Sequence, residues 1–266
     1  MNELEFRELV WEKGRELFRP MPWRDDPSPY RVLVSELMLQ QTQVERVVPK
    51  FNAFVAAFPD VHTLAAATLA DVLTMWSGLG YNRRAKFLHE AAKRIVGEWQ
   101  GVIPDDTALL TTLPGIGPNT AGAIRCYGFN QPADFIETNI RTVYIHHFFD
   151  DQEAIADSDI IDVVKRTVDR EHPRQWYWAL MDYGSDLKRR GLGSIRRSTG
   201  YTKQSPLKGS VREIRGHILR LLTTGGLAEG DMRQQVTVDE RFDRALAGLR
   251  QDGLVQETNG QLHLPL

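Results

Sequence analysis

Leu113-Pro114-Gly115-Ile116-Gly117 joins two predicted helices and is the segment best suited to hold an anion. Paired glycines permit a tight turn and bring main-chain N–H groups close to a ligand. The helix that opens at Pro118 adds unpaired N–H donors of its own. Such a hairpin grips a DNA phosphate without reading sequence. A plain glycine turn between helices uses the same residues, so the segment alone does not decide. Glu36 is set among apolar residues in Val34-Ser35-Glu36-Leu37-Met38, which favours a partly buried carboxyl over a helix-surface glutamate. His146-His147 lacks a third ligand at metal spacing and reads as packing.

The elements that must position these residues read as helical almost throughout. Residues 3–18 place Phe6, Leu9, Val10 and Leu17 on one side at helix spacing. Pro20, Pro22, Pro27 and Pro29 then punctuate a loop. Amphipathic segments follow at 31–42, 44–58, 69–77, 83–99, 120–129, 138–149 and 157–170, and 175–187 is aromatic-rich. Pro49 is expected near the first turn of its helix. Trp23, Trp76, Trp99, Trp176 and Trp178 are assigned to the core. No repeat and no alternating strand–helix pattern appears. The expectation is an all-α core over residues 1–187.

Composition narrows the classes further. The chain has 266 residues, 42% hydrophobic and 26% charged, enough for a large domain with a small appendage. No apolar run approaches the ~18 residues of a membrane span. The charged N-terminal stretch is unlike a signal peptide. A cytoplasmic protein is expected, nucleoid-associated if bacterial. The single cysteine, Cys126, excludes an internal disulfide, a cysteine zinc site and an iron–sulfur cluster. Lys plus Arg is 33 against 35 for Asp plus Glu, so only the distribution of charge can point to nucleic acid. It does so at 188–215, where nine basic residues meet one acid, Glu213. Residues 188–209 read as a basic, mostly irregular linker, suited to phosphate contact through Arg196 and Arg197. Residues 210–266 read as a second unit. Helices at 211–223 and 239–251 precede segments 254–256 and 261–264, which flank the hairpin signal Asn259-Gly260. A small winged-helix-like α+β module has this order, and the second helix of such a module can enter a DNA groove. Protein contact or simple packing would use the same module.

Several motifs now fall in order: Pro22-Trp23-Arg24, Pro29-Tyr30, the string 35–44 (Ser-Glu-Leu-Met-Leu-Gln-Gln-Thr-Gln-Val), Trp76-Ser77-Gly78-Leu79-Gly80-Tyr81, Arg84-Ala85, Leu88-His89 and the segment 113–124. Together, over roughly residues 20–187, they resemble the helix–hairpin–helix (HhH-GPD) DNA glycosylase superfamily, in its MutY-type adenine-DNA glycosylase branch. The resemblance implies a two-lobed helical fold around a cleft and a base-excision reaction on duplex DNA. Glu36 stands where the family places the general acid for a flipped adenine. Glu137, in Ile136-Glu137-Thr138-Asn139-Ile140-Arg141, stands where the family usually has an Asp that stabilises positive charge on the sugar. The extra methylene matters, because misplacement of ~1 Å costs about 100-fold. An N-terminal helix cap is the other reading of Glu137.

The resemblance also distributes the remaining roles. Gln40, Gln41, Gln43, Tyr81, Asn119 and Asn139 fall at base-pocket or intercalating positions, with Gln41 and Tyr81 as probe and wedge. Gly115, Ile116, Gly117, Thr120 and Arg141 fall at phosphate-binding positions, and a monovalent cation on hairpin carbonyls near Ile116 is allowed by analogy. Asn119 occupies the position of the lyase lysine of endonuclease III-like relatives. Without that amine no Schiff base forms there, so a monofunctional enzyme is implied. Two features depart from the family. Met181-Asp182-Tyr183-Gly184 matches the approach to a [4Fe–4S] cluster, yet no cysteine follows. The tail is too short and too helical for the Nudix-like domain that recognises 8-oxoguanine. The expected protein is a cluster-less, cofactor-free adenine glycosylase, monomeric, with no obligate protein partner. The alternatives are a mismatch thymine, uracil or other damaged-base glycosylase, or a non-catalytic protein that binds mismatched or abasic DNA on the same scaffold.

Overall fold

Apolar residues at helix spacing build an all-α core, and the last third of the chain adds one small sheet. The computed structural model describes residues 1–149 and 152–266. Its first helices are α1 (Glu3–Glu16), α2 (Pro22–Asp25), α3 (Pro29–Leu39), α4 (Val44–Ala57), α5 (Val61–Ala66), α6 (Leu69–Trp76) and α7 (Arg83–Trp99). Then come α8 (Thr107–Thr111), α9 (Pro118–Ala123), α10 (Thr138–Phe148), α11 (Asp157–Thr167) and α12 (Pro173–Arg189). The C-terminal part holds α13 (Val211–Leu222), β1 (Leu227–Ala228), α14 (Glu229–Val236), α15 (Glu240–Gln251), β2 (Gln256–Thr258) and β3 (Gln261–His263). No helix among the described residues is long and apolar enough to cross a membrane.

The chain folds as two units. One comprises Met1–Leu33, Asp105–Thr112 and Ile116–Lys203. There α12 packs on α1 and α10 around Phe6, Tyr144 and Trp176, with Phe6 5.1 Å from the Tyr144 ring and 6.2 Å from Trp176. Two glycines let α12 approach so closely. A Cβ on Gly14 would sit 2.5 Å from that of Ala179, and one on Gly184 would sit 2.2 Å from the Asn139 carbonyl oxygen. Asp182 is buried between two arginines: Arg24 donates to both its oxygens at 2.6 and 3.1 Å, and Arg19 Nε donates at 2.7 Å. The pairing accounts structurally for both Pro22-Trp23-Arg24 and Met181-Asp182. Such an ion pair tolerates burial only because each lone pair and proton finds a partner.

The other unit comprises Val34–Pro104, Leu113–Gly115 and Gln204–Leu266. Phe51, Phe54 and Trp76 are fully buried in it, α5 packs on α7, and α13 on α15. The three strands run antiparallel in the order β1-β3-β2. Asn259 and Gly260, at φ 52° and 76°, close the β2–β3 hairpin with two left-handed residues. This C-terminal segment is fastened to the rest of its unit at several points. Ala70 N–H donates to Pro265 O at 2.8 Å, and Lys86 Nζ donates to Asp252 O at 2.8 Å.

The structure corrects several local expectations. Pro49 lies inside α4, past its first turn. Trp99 and Trp178 are half-buried, not core; Trp178 lies under the Arg24 guanidinium at 5.3 Å. Segment 120–129 is not one α-helix, for α9 widens into a π-helical turn, Ile124–Gly128, that buries Cys126. Lys188 and Arg189 belong to α12 and not to the linker.

Candidate active site

The hairpin is built as its residues suggest. Leu113 is buried, and Gly115 adopts φ +77°, where a Cβ would press on Phe87 at 3.0 Å. Gly117 is the N-cap of α9 and Pro118 its first residue, with no side chain capping the end. Gly117 and Asn119 are exposed, Thr120 is half-buried, and Ile116 is buried. Gly115 O, beside the expected cation position near Ile116, accepts the Gln40 amide at 3.2 Å.

Glu36 rides on α3, whose Val32, Leu33, Val34, Leu37 and Met38 are buried to 1% exposure or less. Glu36 itself is half-buried. Its helix is held at the C-terminal end by a residue whose role was not read from the sequence. Arg84, on α7, is buried and donates to the carbonyls of Leu37 (2.7 Å), Met38 (2.9 Å) and Gln40 (2.5 Å). It also donates to Thr42 Oγ1 at 3.0 Å and Gly80 O at 3.0 Å. These are the orphan acceptors of a helix end, gathered by one guanidinium. Burial lowers the Arg84 pKa to about 10, so it stays charged. Its pairing with Ala85 in a recurring motif was the only sequence signal for it.

Gln41 and Tyr81 follow from that clasp. Both adopt positive φ, 55° and 47°, a conformation that side chains beyond glycine seldom take. Gly78 and Gly80, at φ 95° and 74°, make the turn that delivers Tyr81, and Trp76 Nε1 donates to Gly80 O at 3.3 Å. Tyr81 is half-buried, with the Arg84 guanidinium 5.5 Å from its ring centre. Gln43 is exposed at the N-cap of α4.

The second carboxylate lies in the other unit. Glu137 caps α10, its Oε1 accepting the Asn139 N–H at 3.0 Å. Burial pushes its pKa above the usual carboxylate range. The Asn139 N–H, the Lys188 charge, the Ile140 N–H and Arg141 pull it partly back. Capping and chemistry are therefore compatible here: the cap holds the carboxylate in place. Asn119 Oδ1 accepts the Ile136 N–H at 3.3 Å, one residue before Glu137. Asn139 donates to Met181 Sδ at 3.9 Å, while its buried Oδ1 has no partner among the described residues. Arg141 forks onto Asp157 at 2.9 and 2.7 Å. In the linker Arg196 is exposed, whereas Arg197 donates to Gln152 O at 2.6 Å beside the parallel bridge between Ile155 and Ser198. His147 Nε2 pairs with the Tyr183 hydroxyl at 2.8 Å. Among the described residues no group of three or more His, Cys, Asp or Glu could hold a metal.

Residues 34–165 match the HhH-GPD superfamily of base excision DNA repair proteins. The solved structure of a thermostable thymine-DNA glycosylase shares the fold at a TM-score of 0.62, with 20% identity, covering 73% of this chain and 96% of that one. Fold and hairpin thus define a helix–hairpin–helix base-excision repair protein. The chain is 36% identical to the adenine DNA glycosylase of Mycobacterium tuberculosis over 93% of its own length and 89% of that protein's. Against the adenine DNA glycosylase of Mycolicibacterium smegmatis the figures are 35%, 90% and 89%. The chain belongs to the MutY-type branch of the HhH-GPD family. A [4Fe–4S] cluster of the kind that branch carries needs four thiolates. Cys126 is the chain's one cysteine and is buried in the π-helical turn, so the residues present do not fit such a cluster.

Proposed function

We propose that this protein is a monofunctional adenine-DNA glycosylase acting on duplex DNA, without a cofactor. The observation that carries the reading is the setting of Glu36. It is a half-buried carboxyl on an otherwise apolar helix face, and the Arg84 clasp immobilises the helix end beyond it. The relatives' name supplies the base. A carboxyl so placed donates its proton to N7 of an extruded adenine, which makes the base a better leaving group. The C1′–N9 bond then breaks with its electron pair leaving on adenine. Glu137, ionised, stabilises the positive charge left on the sugar until water adds at C1′ and gives up a proton that restores the Glu36 carboxyl. Asn119 offers no amine, so no Schiff base forms at its position and the product is an intact strand with an abasic site.

A single-turnover panel on labelled duplexes tests this, with and without alkali to cut abasic sites. The panel pairs A with G, 8-oxoguanine and C, and T or U with G. Adenine release that needs alkali to reveal strand breaks is expected, and Glu36→Gln should abolish release while retaining binding. Pyrimidine release in place of adenine, or cleavage without alkali, would refute the proposal.

A further inference from the structure

In a winged-helix-like module the second helix is the element that can enter a DNA groove. The pairing of its arginines points elsewhere. On and around α15, Arg241 pairs with Asp239, Arg244 with Glu240, and Arg250 with Glu229 at 3.2 Å and Glu257 at 2.5 Å. Arg233 of α14 pairs with Asp243. Each of these charges is offset by a carboxylate, which leaves little to displace counterions from a phosphate backbone. The start of α13 differs. Arg212 donates to the Tyr81 hydroxyl and to Ser205 O at 2.9 Å, both neutral acceptors, and its guanidinium lies 5.0 Å from the centre of the Tyr81 ring. Gln204 also donates to the Tyr81 hydroxyl.

Arg212 thereby lines two adjoining cavities, of about 290 and about 530 Å³, which both include Gln41, Tyr81 and Asn82. The two are rimmed by Arg46, Arg83, Arg84, Arg212, Arg215 and Arg220, against only Glu213 and Asp252. Asp252 is taken up by Arg83 at 3.4 Å and by Arg215. Asp252 offsets one of that pair and Glu213 a further charge, while Arg84 is buried with its donors on carbonyls. The groove therefore keeps a net positive charge, presented at its open side by exposed Arg46 and Arg220 and half-buried Arg212, next to two residues held at positive φ.

We propose that this groove is a phosphodiester-binding subsite, and that the C-terminal module enters the DNA interface through Arg212 at the start of α13, not through α15. The ligand is the sugar–phosphate backbone flanking the point where Tyr81 meets the duplex. The inference rests on the reading of the protein as a DNA glycosylase for its ligand, but not on any turnover. Because Arg212 is bonded to Tyr81, its phosphate contact and the placement of the wedge are one event.

The test is equilibrium binding of the full chain to a duplex of about 30 base pairs carrying one A·G pair, across about 50 to 200 mM salt. Loss of one phosphate contact lowers the slope of log K against log salt by about 0.9. Arg212→Met should show that change, narrowing the affinity loss over this range by about 3.5-fold. Arg212→Lys should restore the slope, because a point charge satisfies a phosphate. The double variant Arg241→Met/Arg244→Met should leave the slope at the wild-type value. Thermal melting checks that each variant is folded. An unchanged slope in folded Arg212→Met, or a fall in the α15 double variant alone, would overturn the proposal. If the slope falls in a protein that releases no adenine, the subsite stands and the glycosylase reading fails; adenine release with an unmoved slope gives the reverse.

Discussion

Gly184→Ala should disable excision by moving a carboxylate it does not touch. The added Cβ would lie 2.2 Å from Asn139 O, 2.6 Å from its carbonyl carbon and 2.9 Å from its Cα. All three are backbone atoms and none can swing aside. Real Cβ contacts essentially never fall below 3.0 Å, so α12 and the start of α10 must separate by at least 0.8 Å. Asn139 N–H holds Glu137 Oε1, and the displacement passes directly to that carboxylate. Misplacement on the order of 1 Å costs about 100-fold in rate. Overpacking adds about 1–3 kcal/mol of destabilisation, or a fall in Tm of several degrees at about 2–4 °C per kcal/mol. The assay is single-turnover adenine release at saturating enzyme, at a temperature where circular dichroism shows the variant folded. Gly97→Ala is the control. Gly97 lies in the last turn of α7 with no described atom within 4 Å of its Cβ position, so alanine there should stabilise by up to roughly 0.5–1 kcal/mol and leave the rate alone. A folded Gly184→Ala protein releasing adenine within about threefold of wild type would refute the reasoning that ties α12 packing to Glu137.

Other consequences follow from the same geometry. Because burial raises the Glu137 pKa and its ionised form is the useful one, the acidic limb of the rate profile should lie above the ordinary glutamate range. Lys188→Met removes an attraction to that ionised form, so the acidic limb should move to higher pH. A raised folded-state pKa gives stability that is complete below the unfolded value and lost as pH rises through the folded one. Differential scanning should therefore find Glu137→Gln gaining Tm over wild type at pH 8 but not at pH 4, as it loses activity. Arg84→Met leaves the carbonyls of Leu37, Met38 and Gln40 without their donor, at about 1–3 kcal/mol for a buried unsatisfied group. A loss of roughly 3–5 kcal/mol in urea unfolding is expected, with Arg84→Lys recovering part of it.

Much of the helical core was legible because its apolar residues repeat at helix spacing, as in α7, where Leu88, Ala91, Ala92 and Ile95 are all fully buried. The β2–β3 hairpin was equally plain, since Asn259-Gly260 has few other uses. Periodicity could not show the π-helical turn at 124–128, which inserts a residue without disturbing the apolar pattern around it. Nor could it separate Trp176, fully buried, from Trp178, which the helix turns toward Arg24. The hairpin and Glu36 were readable as local strings. Arg84 was not, because its role is defined by carbonyls of residues 37–40, and a carbonyl looks the same at every position. The Arg212 groove escaped for a related reason: charge composition marks 188–215 as basic but is silent on which arginines meet carboxylates.

The two units are interleaved along the chain, and that bears on how the protein is made. Lys86 and Asp252 close one unit across 166 residues; Arg19 and Asp182 close the other across 163. Contacts so distant in sequence are entropically late and slow to form. A ribosome adding about 5–20 residues per second reaches position 252 some ~8–30 s after position 86. Through that interval α7 exists without the segment that covers Lys86, and Tyr81 without Arg212. Neither unit can finish on the nascent chain until most of it has been synthesised. The refolding of this protein should accordingly be limited by a step that joins its early and late residues, well after its helices have formed.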